Sequence, residues 1–228
     1  MSVFGGPDIV TDGLVLHLDA PNRKSYSGTG NTWYDLSGNG SNATRYNSSF
    51  TGDAFSFDGN TDYFLVGNVG SNSVKTVSCW FTMDNVDTQM ALFGFGTVAT
   101  NTQDIYMWGA DSNGPFGFNH WNGDSWGFAG GENLIKNNGY FNVVAEFNFS
   151  DYTSNRLWLN GTLKTLSNQR GTNLQRSQSN NFGIGINGWN SVNQTWAGDI
   201  SIVSVYDRPT TTNEVLTNYN ALKGRYGL

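Results

Sequence analysis

Cleaving a glycosidic bond takes two carboxyl groups, one to protonate the leaving oxygen and one to attack or stabilise the sugar. On a β-strand such groups share a face when they stand two residues apart. The chain has three glutamates, Glu132, Glu146 and Glu214. Glu146 stands in a strand-like run with Asn148 two residues on and no flanking carboxylate. Glu214 follows Thr211 at the spacing of a helix capping box. Glu132 stands beside Gly130 and Gly131, in a turn. His17 alternates with leucines and reads as a structural histidine. His120 has no serine or cysteine near it in a nucleophile-elbow setting. Enzymatic activity is therefore not expected, and a glycan hydrolase is the weakest of three functional readings.

Binding chemistry is richer. Residues 118–128, FNHWNGDSWGF, combine tryptophan with Asn, Asp and His, and Trp108 precedes them. A second such stretch, NGWN, follows at 187–190. Tryptophan faces stack on the apolar faces of sugar rings, while amides and carboxylates bond the hydroxyls. The candidate carbohydrate site is thus Trp108, His120, Trp121, Asn122, Asp124, Trp126, Asn187 and Trp189. The same tryptophans could instead be core plugs, hairpin staples or subunit contacts, and the sequence leaves both readings open. A Ca²⁺ site is a weaker expectation. It would use Asp19 at the end of the first strand and Asp199 at the start of the last, if those strands pair. Asp35, Asp58 and Asp62 lie in turns, where aspartate closes the turn itself. Cys79 is the sole cysteine, so no intrachain disulfide forms, and VSCWF makes it a buried apolar residue.

These residues must be held by strands. Aromatics make up 14% of the 228 residues, charged residues only 13%, and there are 29 glycines. That mixture suits many short strands joined by tight turns. The net charge of −6 argues against nucleic acid, which needs a Lys/Arg-rich surface. Membrane insertion is not expected either, because no apolar run is long enough. MSVFGGPDIV is neither basic nor apolar enough for a signal peptide.

Residues 1–12 read as an N-terminal arm, and 13–228 as one domain. GLVLHLDA is the first strand, and residues 21–44 form a long polar loop anchored by Trp33 and Leu36. Residues 54–66 read as a hairpin with Phe55 and Phe57 inward. Alternation marks further strands at 76–84, 137–150 and 181–188, the last with its glycines outward. Asn160-Gly161 is the best two-residue hairpin turn. Residues 196–205 form the final strand, and Pro209 stops it. A capping box then starts the one helix, at about 211–223, with Val215, Leu216, Tyr219 and Leu222 on its buried face and Gly224 as its C-terminal cap. About a dozen strands with regular turn signals predict an all-β sandwich of two antiparallel sheets with one short C-terminal helix.

The ordered set GLVLHLDA, WYDLSGNGSNAT, FSFDGNTDYFLV, TVSCWF, RLWLNGTL, FGIG and WAGDISIVSVYDRPTTTNEVLTNYNALKGRYG resembles the laminin-G-like, concanavalin A-like lectin/glucanase superfamily. More narrowly, it resembles the laminin-G-like domains of tailed-bacteriophage virion proteins, including those of cyanophages. The resemblance implies a jelly roll of two curved sheets, with ligands on the concave face or the rim loops. The glucanases of that superfamily carry a Glu-x-Asp-x-x-Glu pattern that this chain lacks. The resemblance implies a structural protein of a phage particle, as a capsid decoration, fibre or tail-associated module. Its expected partners are other virion proteins, copies of itself (a trimer above all) and host surface glycans. A lectin as the primary role is the alternative.

Overall fold

A computed structural model describes residues 8–84, 89–96, 103–107, 114–120, 124–136, 139–170, 181–187 and 194–228. In chain order the strands begin β1 (Leu14–Asp19), β2 (Thr32–Trp33), β3 (Ala43–Tyr46), β4 (Ser49–Phe50), β5 (Phe55–Asp58) and β6 (Tyr63–Asn68). Then come β7 (Val74–Phe81), β8 (Met90–Phe95), β9 (Gln103–Met107), β10 (Phe116–His120), β11 (Asp124–Phe128) and one helical turn, α1 (Gly131–Ile135). The sheets are completed by β12 (Phe141–Asn148), β13 (Arg156–Leu159), β14 (Thr162–Leu163), β15 (Ser167–Arg170), β16 (Asn181–Ile184) and β17 (Ala197–Tyr206). Helix α2 (Thr212–Leu222) follows. None of the described helices is long and apolar enough to cross a membrane.

Among the described residues the strands form two antiparallel sheets. One has eight strands, in the order β14-β13-β12-β7-β17-β5-β4 with β1 also on β17. The other has nine, in the order β15-β11-β10-β9-β8-β16-β6-β3-β2. The predicted sandwich is the observed fold. Alternation explains why the sheets stack, since each strand sends every second side chain into one shared core. Phe147 of the first sheet meets Phe95 and Phe118 of the second edge-to-face, with ring centroids 5.1 and 5.0 Å apart. Such geometry adds to the area these rings bury.

Four local expectations hold. Asn160 and Gly161 take positive φ values of 49° and 73° between paired β13 and β14, as a type I′ hairpin requires. Trp33 anchors the polar loop and is fully buried. His17 Nδ1 lies 2.9 Å from Ser204 Oγ, and burial lowers its pKa. The Cys79 thiol is buried, which pushes its pKa well up.

Three others are corrected. The hairpin expected over residues 54–66 is an arch, because β5 belongs to one sheet and β6 to the other. Asp58 builds its corner by accepting the N–H groups of Asn60 and Thr61 at 2.8 and 3.0 Å. Phe55 and Phe64 then face each other across the core, 4.7 Å apart. Leu216, expected on the covered face of α2, is exposed, and Asn218 is buried instead. Asn218 serves as a polar clamp, accepting from the Val10 N–H at 2.8 Å and donating to the Tyr206 hydroxyl at 3.0 Å. That contact docks the end of the N-terminal arm on α2; residues 1–7 lie outside the described residues. Gly224 does not end the helical segment. A 3-10 turn continues over Lys223–Tyr226, and Gly227 closes it at φ 73° with its N–H on the Lys223 carbonyl.

The start of α2 matches the sequence reading. Thr211 Oγ1 accepts the Glu214 N–H at 3.2 Å, and the Glu214 carboxylate accepts the Thr211 N–H at 2.8 Å. Arg208 adds a 2.6 Å hydrogen bond to the same carboxylate. The Arg208 guanidinium first, and the Thr211 N–H second, hold the Glu214 carboxyl down from the ordinary 4.5 to about 2. A depressed folded-state pKa contributes stability that is present above the unfolded value and lost as pH falls through the folded one. Denaturant midpoints should therefore fall between about pH 4.5 and pH 2. In Glu214→Gln that fall should be smaller; an identical pH profile in the variant would refute the assignment.

β17 lies in the middle of its sheet, with β7 on one side. On its other side two strands meet end to end. β1 pairs with residues 202–206, and β5 with residues 197–200. Ser201 sits between them at a register shift. Its carbonyl accepts the Ala20 N–H at 2.9 Å and its hydroxyl donates to the Asp53 carbonyl at 2.6 Å. One residue thus ties the end of β1 to the approach to β5.

Candidate functional site

On the nine-stranded sheet, Phe93, Phe95, Ile105, Met107, Phe116, Phe118, Phe182 and Ile184 point into the core. Their neighbours must point out. Strand registers then line up one outward row: Thr44, Leu65, Gly183, Gly94, Asp104, Asn119 and Ser125. The adjoining row carries Ala91, Tyr106, Gly117, Gly127 and Ser167. The glycines have a steric cause. A Cβ on Gly117 would stand 2.5 Å from the Gly127 Cα, so β10 and β11 can approach only without side chains there.

Three polar side chains on this face are buried: Asp104, Asn119 and Ser125. Asn119 Nδ2 lies 3.5 Å from Asp104 Oδ2. Among the described residues, Asn119 Oδ1 and Ser125 Oγ have no hydrogen-bond partner. Buried polar atoms nearly always find partners, so an unpaired acceptor beside an unpaired hydroxyl marks a place where a ligand can supply them. Tyr106 adds a buried ring, its hydroxyl 3.4 Å from Gln89 Oε1. A carboxylate, an amide, a hydroxyl and a tyrosine ring on a bed of glycines suit a neutral ligand rich in hydroxyls. Asp104 is the one carboxylate among the described side chains of these two rows, so they hold no acid/base pair for glycoside cleavage.

Two of the three glutamates considered for catalysis are engaged elsewhere; the side chain of Glu132 lies outside the described residues. Glu146 is buried on the other sheet and accepts from Arg156 Nε at 3.0 Å and Arg156 Nη2 at 2.5 Å. Glu214 caps α2, as described above.

The sequence-derived site residues fall into three groups. Trp108, Trp121, Asn122 and Trp189 lie outside the described residues. For His120 and Asp124 the backbone is described, and they are paired directly opposite each other at the tip of the β10–β11 hairpin. Trp126 and Asn187 are placed in full. Trp126 stands opposite Phe118 and packs against the core, its ring 6.4 Å from Tyr152. That orientation turns its ring away from the outward rows, so it supports them from beneath. Asn187 is buried just beyond β16 and donates to Gln194 Oε1 at 2.8 Å.

The proposed calcium pair is half assembled. β1 does pair with β17, but Asp19 stands opposite Ile202, while Asp199 stands opposite Ser56 of β5. Asp19 Oδ2 is taken by Arg225 Nη1 at 2.9 Å. Burial, followed by the nearby Asp84 charge, raises the Asp199 pKa against a Ser56 hydrogen bond that lowers it. Among the described residues no three His, Cys, Asp or Glu side chains come together as a metal-ligand group.

The family model described as the concanavalin A-like lectin/glucanases superfamily (Laminin_G_3) matches residues 58–216. No curated protein matches the chain. Among solved structures, the receptor binding domain of botulinum neurotoxin C/D mosaic serotype is similar, with TM-score 0.60 and 14% identity over 92% of this chain and 51% of that one. Trypanosoma rangeli sialidase, solved in complex with sialic acid, is similar with TM-score 0.60 and 16% identity over 92% of this chain and 33% of that one. The chain therefore spans about half the length of the first and a third of the second. At such identities the likeness is one of fold.

Proposed function

The chain belongs to the concanavalin A-like lectin/glucanases superfamily, and from that premise we propose that it is a non-catalytic structural module of a tailed-phage particle whose nine-stranded sheet contacts host glycans. The observation that carries the glycan reading is the Asp104, Asn119 and Ser125 row, with its unpaired buried amide oxygen and hydroxyl. The family supports it, as do fold neighbours described as a receptor binding domain and as a sialic acid complex. The particle reading is supported by the ordered motifs of the phage-like domains and by a surface rich in Asn, Ser and Gly rather than charge. A homo-oligomer, a trimer above all, would multiply weak single sites by about 10²–10⁴ in avidity.

The glycan reading is tested on an array probed with an oligomeric form. Binding to a defined sugar is expected, and Asn119→Ala should weaken it by about tenfold, the size of one hydrogen-bonded contact. Absence of signal for every sugar, with the fold intact by circular dichroism, would sink it. Mass spectrometry of purified particles tests the other half, and a particle proteome without this chain would remove the virion reading. Release of reducing sugar from any glycan bound on the array would overturn the non-catalytic assignment.

A further inference from the structure

The end-to-end meeting of β1 and β5 leaves a notch in the eight-stranded sheet, on the face opposite the glycan row. A cavity of about 770 Å³ opens there. Its lining includes Asp19 and Asn22 from the end of β1, Asp53 from the approach to β5, Tyr140 from the approach to β12, and Arg225 and Tyr226 from the 3-10 turn after α2. Four distant stretches of chain thus converge on one opening.

The walls are aromatic. The Tyr140 and Tyr226 rings lie 4.5 Å apart at 37°, and Tyr226 stacks on Trp80 at 4.4 Å. The charged groups are Asp19, Asp53 and Arg225. Asp19 is 3% exposed; Arg225 Nη1 holds its Oδ2 at 2.9 Å, while its Oδ1 is buried with no hydrogen-bond partner among the described residues. Asp53 stands at the solvent side of the opening. Burial first pushes the Tyr140 phenol up to about 12, and the negative charges of Asp199 and Asp53 act in the same direction. Two carboxylates, Asp19 and Asp53, therefore line this opening beside the guanidinium of Arg225, itself half exposed. A buried carboxylate oxygen without a donor is costly, and a charged donor relieves it most. Electron-rich ring faces beside carboxylates attract organic cations, because the ring quadrupole and the negative charges act together.

We propose that this notch is a binding site for a primary alkylammonium ion, seated against the Tyr140 ring and donating to Asp19. Its source is a lysine side chain of a neighbouring polypeptide, since a quaternary ammonium has no N–H to donate. The site is independent of the glycan row, which lies on the other sheet, so each can fail without the other.

The test uses the full chain with choline and Nα-acetyl-lysine amide as probes, followed by calorimetry and by the fluorescence of Trp80 stacked on Tyr226. Saturable binding of the lysine amide in the millimolar range or tighter is expected. Choline, whose cation has no N–H, should bind more weakly. The neutral isostere Nα-acetyl-norleucine amide should not bind. Asp53→Asn and Tyr140→Leu, at an exposed and a half-buried position, should each weaken binding by about three- to thirtyfold, the range of one cation–π or charge contact. Asp19→Asn should abolish it, and the other two variants keep the test valid should that one fail to fold. The proposal is overturned if the lysine amide does not saturate by about 10 mM. It is equally overturned if choline or the norleucine amide binds as well as the lysine amide, or if both surface variants bind unchanged.

Discussion

Trp80→Ala is expected to lose about 3–5 kcal/mol of stability, the range for removing a buried tryptophan. Trp80 lies on β7, in the middle of the eight-stranded sheet, with its ring on the outer face and 1% exposed. Tyr219 of α2 stacks parallel to it at 5.7 Å, and Tyr226 of the following turn lies at 4.4 Å. Ile202 and Leu222 complete the patch. This ring is thus the largest apolar contact of the helical C-terminal segment with the sheet, beside Val215 on Val144 and Trp158. Its removal should free that segment before the sandwich opens, because the main core lies on the other face. Urea denaturation measures the loss, and limited trypsin cleavage after Lys223 and Arg225 measures the release. Trp80→Phe should be much milder: the Trp80 indole N–H is buried with no partner among the described residues, so its removal sacrifices no hydrogen bond there. An alanine variant that loses less than about 1 kcal/mol, the size of an ordinary surface change, would show that the stack does not carry the segment.

The second large effect is expected at the Glu146–Arg156 pair. The two stand directly opposite on β12 and β13. The Glu146 carboxylate also accepts the Thr210 N–H at 3.2 Å, and Arg156 Nη2 donates to the Thr210 carbonyl at 3.1 Å. The pair therefore pins the chain just before α2 to the sheet. Arg156 is 41% exposed at its side chain and Glu146 only 7%. The two deletions should differ for that reason. Arg156→Met strands a buried carboxylate and should cost about 3 kcal/mol, near the low end for breaking a buried pair. Glu146→Gln keeps an acceptor for Thr210 and frees Arg156 toward water, so it should cost about 1–2 kcal/mol. Equal losses in the two variants would contradict this account. A double-mutant cycle by urea denaturation isolates the pairwise part.

The sandwich was legible because its evidence is local. Val77, Cys79 and Phe81 alternate with Ser78 and Trp80, and Asn160-Gly161 names its own turn. The arch at residues 54–66 was not, because inward phenylalanines alternate identically whether two strands pair side by side or face each other across a core. Trp126 illustrates the same limit. Which face of β11 it occupies depends on pairing with Phe118, and a one-residue slip would reverse it. The polar row was hidden for a further reason. Asp104, Asn119 and Ser125 meet only through the registers of three strands, and each alone reads as an ordinary polar residue. The one local hint was the recurrence of glycine beside aromatics at Gly94, Gly117, Gly127 and Gly183; Gly117 and Gly127 meet backbone to backbone, and the Ile186 side chain lies over Gly183. The notch left no local hint, because its walls come from stretches of chain roughly 200 residues apart in sequence, as the Asp19–Arg225 contact spans 206.

The central place of β17 also governs the order of assembly. β7, β12, β13 and β14 can pair among themselves as soon as they exist. β1, β4 and β5 have no place in that sheet until β17 arrives between them and β7. A chain growing from its N-terminus must therefore keep the apolar faces of β1 and β5 waiting through most of its synthesis. Pairings this distant in sequence close slowly. Release of residues 197–206 is then the step that commits the domain, and stalled chains ending before it should be the ones that aggregate.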